Sequence, residues 1–264
     1  MFAYCNFCEK AHNPWKIDKD KVTYFVTDKW DGSSRPPYSE LNISMNVGDC
    51  VDDVLYNRLL VARHSGIPMN RFVFASQVHG DHIEIIDEDR LNKNSYSVIK
   101  ASDGLITAQK ELALVVMAAD CVPVLLYDEE KEVIGAFHAG WRGLTQNIIT
   151  KGVQMMNDHF DCNSNNIKAF IGPSIGQCCY EIKNKVIEAV KTSVPHYEQA
   201  LKNTDNKVFL DLKKAVELQL IDANVERQKI IRSKYCTQCY SDTFYSYRAH
   251  SETGRFCASI ALKG

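Results

Sequence analysis

One central stretch constrains the fold more than any other part of this chain. Residues 112–119 (LALVVMAA) form a continuous apolar run of strand length, and residues 122–127 (VPVLLY) resume it after Asp120 and Cys121. A polar turn at residues 128–131 then leads into residues 132–137 (EVIGAF). Unbroken apolar runs of four to eight residues suit strands covered on both faces, and run–turn–run predicts a hairpin. With Asp120 and Pro123 inside it, the stretch is too short and too interrupted to span a bilayer.

A sheet buried on both faces needs other elements to cover it. The β-branched and aromatic residues 21–27 (KVTYFVT) predict a strand. Val54, Leu55, Leu59 and Leu60 fall at helical spacing within residues 51–64. Residues 71–76 (RFVFAS) and 82–87 (HIEIID) read as two further strands. From 143 to 160 the period changes: Leu144, Ile148 and Met155 predict one amphipathic helix. Residues 168–171 read as a strand, and 183–194 and 211–223 as helices. Residues 243–247 and 256–262 are expected to close the chain as a hairpin around HSETG. The strands lie too close together for repeated βαβ crossovers, so the fold class is mixed α/β (α+β), with mixed sheets flanked by helices. The turn-rich stretches at 31–37, 92–97 and 161–166 are too short for interdomain linkers, and residues 1–264 are expected to form one compact domain.

The formal net charge of −2 gives no basic excess, which argues against nucleic acid and anionic membranes as partners and for small ligands. The opening MFAYCNFCEKAHNPWK lacks a basic start followed by a long apolar run, so no signal peptide is expected. Ten cysteines without an export signal suit reduced thiols, metal ligands or small buried hydrophobes, and the expected compartment is the cytoplasm.

Three predicted strands end in residues with ligand chemistry: SQVH at 76–79, ADCVP at 119–123 and HAGWRG at 138–143. His79, Cys121 and His138 make a plausible zinc ligand set, and three protein donors leave a position for water or substrate. A lone histidine at a strand end is more often a hydrogen-bonded structural residue than a ligand, and Cys121 also reads as a small buried hydrophobe. The helix expected from Gly143 would turn its free N–H groups toward His138 and Arg142, a setting that favours an oxyanion. Trp141 and Arg142 as packed surface structure is the competing reading.

The chain resembles the laccase-domain family, also called YfiH-like or multicopper polyphenol oxidase, whose members are understood as purine nucleoside phosphorylases. The resemblance is carried by SQVHGDHI, ASDGLITAQ, AADCVPVLL, GAFHAGWRGL, IGPSIGQCCYEI, FLDL and CTQCYSDTFYSYRAHSETGR, in the family's order, with ELNISMNVGD and YNRL as weaker matches upstream. It implies a compact mixed fold related to cysteine-hydrolase-like toxins. It implies a zinc ion, with copper also claimed, on His79, Cys121 and His138. It further implies phosphorolysis of adenosine, inosine and methylthioadenosine to base and ribose 1-phosphate, with adenosine deamination as a side activity. On that footing Arg142 is the candidate phosphate ligand, joined by Arg248 and Arg255 as substrate contacts, and Asp120 is a positioning carboxylate or proton carrier. The chain departs from the family near its start: TDKWDGSSRPPYSELN stands where an Arg and a Gly-Gly-Val-Ser-like turn are usual, leaving Lys29 or Arg35 as stand-ins for the Arg.

Cys5 and Cys8 form a C-x-x-C, as do Cys236 and Cys239, and Cys178 and Cys179 are adjacent. Two C-x-x-C pairs suit a structural zinc site or a redox dithiol, but nothing in the sequence brings them together. Competing functions are a copper-dependent polyphenol oxidase, which eight histidines supply poorly, a metal-independent hydrolase with Cys121 as nucleophile and His138 or His79 as base, and a non-enzymatic binding module. The oligomeric state is left open by the sequence.

Overall fold

In the computed structural model, residues 21–93 and 95–264 are described. The apolar runs become strands β6 (Ala113–Ala118), β7 (Val122–Asp128) and β8 (Val133–Ala139), every residue of which is buried. β7 and β8 form the expected antiparallel hairpin. β6 does not join it: the chain crosses at Asp120 and Cys121 from one sheet to another. β6 lies in a five-stranded sheet ordered β1-β14-β6-β2-β4, with β1 (Val22–Val26), β14 (Phe256–Leu262), β2 (Phe72–Ser76) and β4 (Ser97–Lys100). β7 and β8 lie in a six-stranded sheet ordered β13-β9-β7-β8-β5-β3, with β13 (Ile230–Arg232), β9 (Ile167–Ile171), β5 (Gly104–Thr107) and β3 (Ile83–Ile85).

The two sheets pack face to face. Leu114, Val116, Leu125, Tyr127, Ile134, Ala136, Ala258 and Ile260 share the core between them. Alternate residues of the same strands turn outward and are covered again. Val115 and Phe74 meet Val61 and Ala62 of helix α1 (Val51–Ser65). Val124, Leu126 and Phe137 meet helices α2 (Trp141–Thr145), α3 (Ile148–Phe160), α4 (Asn184–Ser193) and α5 (Leu212–Asp222). Burial on both faces is why the runs are continuous rather than alternating. A small sheet of β10 (Glu181–Ile182), β12 (Lys207–Leu210) and β11 (Leu201–Thr204) lies outside these layers. The mixed α/β class expected from the sequence is the class observed.

Two expected elements differ. The single helix over 143–160 starts earlier, at Trp141, and breaks at Gln146 and Asn147, where Asn147 adopts a left-handed φ of 62°. Gln219 of α5 stabilises the break, its Nε2 donating to the Leu144 carbonyl at 2.8 Å and to Asn147 Oδ1 at 3.0 Å. Residues 243–247 form turns rather than a strand. β14 instead pairs with β1 and β6, so the last strand sits at the heart of a sheet. At the far end of β14, the Lys263 N–H donates to the Lys21 carbonyl at 2.9 Å. No helix among the described residues is long and apolar enough to cross a membrane.

Phe137 fixes how α3 seats on the six-stranded sheet. Its ring lies against three bare glycine backbones: a Cβ at Gly104, Gly135 or Gly152 would stand 2.8, 2.6 or 2.5 Å from a ring carbon. In an exposed helix, Gly→Ala gains about 1 kcal/mol. At Gly152 of α3 the clash with a fully buried ring costs about 1–3 kcal/mol, so overpacking wins. Gly152→Ala should lower the urea midpoint, and adding Phe137→Leu should recover part of the loss; an unchanged or raised midpoint for Gly152→Ala would refute this account of the contact.

Candidate metal centre and active-site cavity

The site lies where the chain passes between the sheets. β2 ends at Ser76, and the loop beyond it carries His79; the β6–β7 turn carries Cys121; His138 is the penultimate residue of β8. The loop can leave β2 because Gln77 substitutes for backbone pairing. Its side-chain amide both accepts from the Met117 N–H and donates to the Met117 carbonyl, each at 2.7 Å. One donor atom from each of His79, Cys121 and His138 lies within 4.8 Å of the other two. The imidazoles stand edge to face, 4.9 Å between centroids. Gly140 keeps the space open, since a Cβ there would come 2.9 Å from the Cys121 sulfur.

The residue that assembles this trio is Asp103. It is fully buried and accepts from three successive backbone N–H groups: Val78 at 3.0 Å, His79 at 3.0 Å and Gly80 at 2.8 Å. Its Oδ1 also bonds His138 Nδ1 at 2.8 Å, and its carbonyl accepts from the His138 N–H at 2.7 Å. Burial pushes the Asp103 carboxyl up, but the His138 hydrogen bond and charge and the loop N–H groups bring it below the usual carboxylate range. His79 has a φ of 62°. That conformation costs a non-glycine residue about 1–3 kcal/mol, and the three N–H bonds to one carboxylate offset it. The sequence reading had Asp103 only inside the ASDGLITAQ match and gave it no role. Its signal was an acidic residue immediately before a short, wholly buried strand.

Cys121 and His138 shift each other's proton affinity in opposite directions. Burial pushes the Cys121 thiol up, but the imidazoles, His138 foremost, pull it down to about 6. Burial pushes His138 down, while the Cys121 sulfur and Asp103 raise it to about 9. The donor set suits a borderline cation such as zinc: two imidazoles and an easily ionised thiol, one imidazole oriented through Nδ1 by a carboxylate so that Nε2 is left for a ligand bond. Among the described residues this group holds three metal-type donors, and all three residues line a cavity.

That cavity, of about 530 Å³, is lined by the trio and by Asp120, Arg142, Arg248 and Arg255. All four were singled out from the sequence, and they come from the β6–β7 turn (Asp120), helix α2 (Arg142) and the segment leading into β14 (Arg248 and Arg255). Asp120 has a φ of 91° and both carboxylate oxygens engaged, with Thr237 Oγ1 and the Arg248 N–H donating at 2.6 Å each. Arg142 lies over the Trp141 ring at 4.5 Å and Arg248 over the Tyr180 ring at 5.2 Å. Arg255 donates to the Thr253 and Gly254 carbonyls at 2.7 and 2.8 Å; burial pulls its guanidinium below the ordinary range although Cys121 and Asp120 act the other way. The expected helix start at Gly143 is corrected: α2 is a five-residue helix from Trp141, with Arg142 in its first turn.

The departure near the start of the chain falls outside this wall. Lys29 donates to the Ser241 carbonyl at 2.6 Å and lies over Trp30, and Arg35 is exposed; neither lines the cavity. Ser44, Asn46 and Val47 do, from the weaker ELNISMNVGD match. Cys5 and Cys8 lie outside the described residues.

Residues 23–263 match the family described as multi-copper polyphenol oxidoreductase laccase. The chain is similar to purine nucleoside phosphorylase YlmD of Bacillus subtilis, 32% identical over 251 residues, covering 93% of this chain and 90% of that one. It is similar also to adenosine deaminase RL5 of an unknown prokaryotic organism, 31% identical over 235 residues, covering 86% and 88%. The crystal structure of YlmD from Geobacillus stearothermophilus superposes with a TM-score of 0.88 at 31% identity, covering 92% of each chain. With nearly its whole length matched, the chain belongs to the multi-copper polyphenol oxidoreductase laccase family.

Proposed function

We propose that the chain is a zinc-dependent purine nucleoside phosphorylase, converting adenosine, inosine or methylthioadenosine and phosphate to the free base and ribose 1-phosphate, with adenosine deamination as an additional activity. The observation that carries this reading is a three-donor centre opening on a cavity that holds three guanidinium groups. His79, Cys121 and His138 would hold the ion, and zinc in such a site supplies Lewis acidity to a substrate atom or a water.

The chain's own residues supply the rest. Among the described residues neither Arg142 nor Arg248 is paired with a carboxylate side chain, so both are open to an anionic substrate. Each is spread over an aromatic ring that limits its rotation. Phosphate held between them would approach the anomeric carbon as the bond to the base breaks. Arg255, partly buried and tethered to two carbonyls, adds positive charge at the cavity wall. Asp120 acts as a positioning residue: with both oxygens engaged it sets the Arg248 backbone, which fits that role better than the proton-carrier role also expected for it. The enzyme would act in the cytoplasm on small molecules.

The family's description as a multi-copper polyphenol oxidoreductase laccase favours a second reading, a copper-dependent phenol oxidase. Base release measured chromatographically over a nucleoside panel, with and without phosphate, decides between the two. Phosphate-dependent release supports the proposal, whereas phenol oxidation that follows copper re-addition without base release would end it. A metal-independent thiol hydrolase would instead survive chelation and be lost on alkylation of Cys121.

His79→Ala or His138→Ala should remove the zinc held at the His79, Cys121 and His138 centre, and turnover with it, from a protein that still folds; full activity with that centre empty would rule out the zinc reading. Asp103→Asn should weaken zinc binding roughly 10- to 100-fold in chelator competition, and unaltered affinity would show that the carboxylate does not orient His138. Arg142→Ala removes a charge-assisted bond of about 1.5–3 kcal/mol, so the KM for phosphate should rise roughly 10- to 100-fold with kcat less affected. An unchanged KM would take Arg142 out of the phosphate site.

A further inference from the structure

Four cysteines that the sequence left as scattered thiols meet in space. One donor atom from each of Cys178, Cys179, Cys236 and Cys239 lies within 4.8 Å of the other three. The Cys239 sulfur is 3.5 Å from that of Cys178 and 3.4 Å from that of Cys179. We propose that these four residues form a tetrathiolate site for a zinc ion, sharing no residue with the His79, Cys121 and His138 trio, and that the ion fastens two loops of the cavity wall.

Chemistry and geometry agree on the ligand. Zinc binds four thiolates tetrahedrally at about 2.3 Å, which places the sulfurs about 3.8 Å apart. The observed separations need only small side-chain adjustments to reach that figure. All four cysteines are free thiols, and zinc uptake would release their protons to solvent. The C-x-x-C arm is shaped as a ligand turn: the Tyr240 N–H closes onto the Cys236 carbonyl at 3.0 Å, and the Gly176 N–H donates to the Cys236 sulfur at 3.1 Å. Backbone N–H donation to sulfur stabilises the charged form a metal requires. Gly176 is needed for that approach, since a Cβ there would lie 3.0 Å from the Cys236 Cβ. Lys213, a buried ammonium, donates to the Tyr235 carbonyl at 2.6 Å beside Cys236, where its positive charge would favour the thiolates a metal requires.

Both arms already touch the cavity. Beside the first, the Ile175 N–H donates to the Asp120 carbonyl at 2.9 Å, and Tyr180 underlies Arg248. Within the second, Thr237 donates to the Asp120 carboxylate. The arms are joined by the Ser174–Cys236 bridge and the Thr237 N–H bond to the Ser174 carbonyl. An ion among the four sulfurs would hold in register the loops that position Asp120 and Arg248. This inference does not depend on which reaction the cavity carries out.

The test removes the other centre first. The His79→Ala/His138→Ala variant, expressed with zinc, should retain about one zinc per chain, with four sulfur neighbours at about 2.3 Å in zinc-edge X-ray absorption. Adding Cys5→Ser/Cys8→Ser should leave that zinc in place, and adding Cys236→Ser/Cys239→Ser should remove it. A zinc-free double-histidine variant, nitrogen or oxygen among the neighbours, or zinc that survives the Cys236/Cys239 change would overturn the proposal. Should the cysteine variant fail to fold, cadmium NMR of the unaltered protein decides: a resonance in the far-downfield range of four-thiolate sites is expected, and its absence refutes the site.

Discussion

One buried carboxylate organises the centre of this protein. Asp103 precedes β5 and reaches across to the loop after β2, where it takes three consecutive N–H groups, and to His138 on β8. β2 and β8 belong to different sheets, so the carboxylate ties the two layers together at the point where they jointly supply ligands. A buried charge is tolerated only when its hydrogen-bonding capacity is filled, and here every bond that fills it also aims a ligand. Stability and ligand geometry are therefore set by the same contacts.

What could be read in the residues was whatever depends on local pattern. The unbroken runs around 112–137 announced strands covered on both sides, and the spacing of Val54 with Leu55 and Leu59 announced α1. The segments holding His79, Cys121 and His138 stood out because each ends an apolar run in a polar ligand type. Asp103 did not stand out, because its role exists only once β5, β8 and the loop after β2 are side by side. The break at Asn147 depends on Gln219, more than seventy residues away, and periodicity cannot register such a partner. The 243–247 segment carries strand-like aromatics, yet Phe244 and Tyr245 are buried as anchors of a turn-rich loop, Phe244 against Phe256 and Tyr245 through its hydroxyl to the Tyr38 carbonyl. The meeting of Cys178 and Cys179 with Cys236 and Cys239 is equally non-local.

The family's description and its relatives' names span oxidation, phosphorolysis and deamination. A centre of two imidazoles and a thiol is compatible with more than one of these, because fold and ligand set do not choose a reaction. The cavity wall differs in kind from the centre: Arg142 stands on the five-residue helix α2 and Arg248 in the turn-rich segment before β14, while the ligands sit on or beside buried strands. Divergence within such a family can then proceed through the wall while the centre stays fixed.

The pairing of β1 with β14 has a consequence of its own. Arg255, at the start of β14, borders the cavity, and the strand then runs seven residues away from it, a distance of about 20 Å. Lys21 and Lys263 meet at that remote edge. Lys263 is exposed there, so a label or surface tether attached to its side chain would sit about 20 Å from the cavity and leave the chemistry unobstructed.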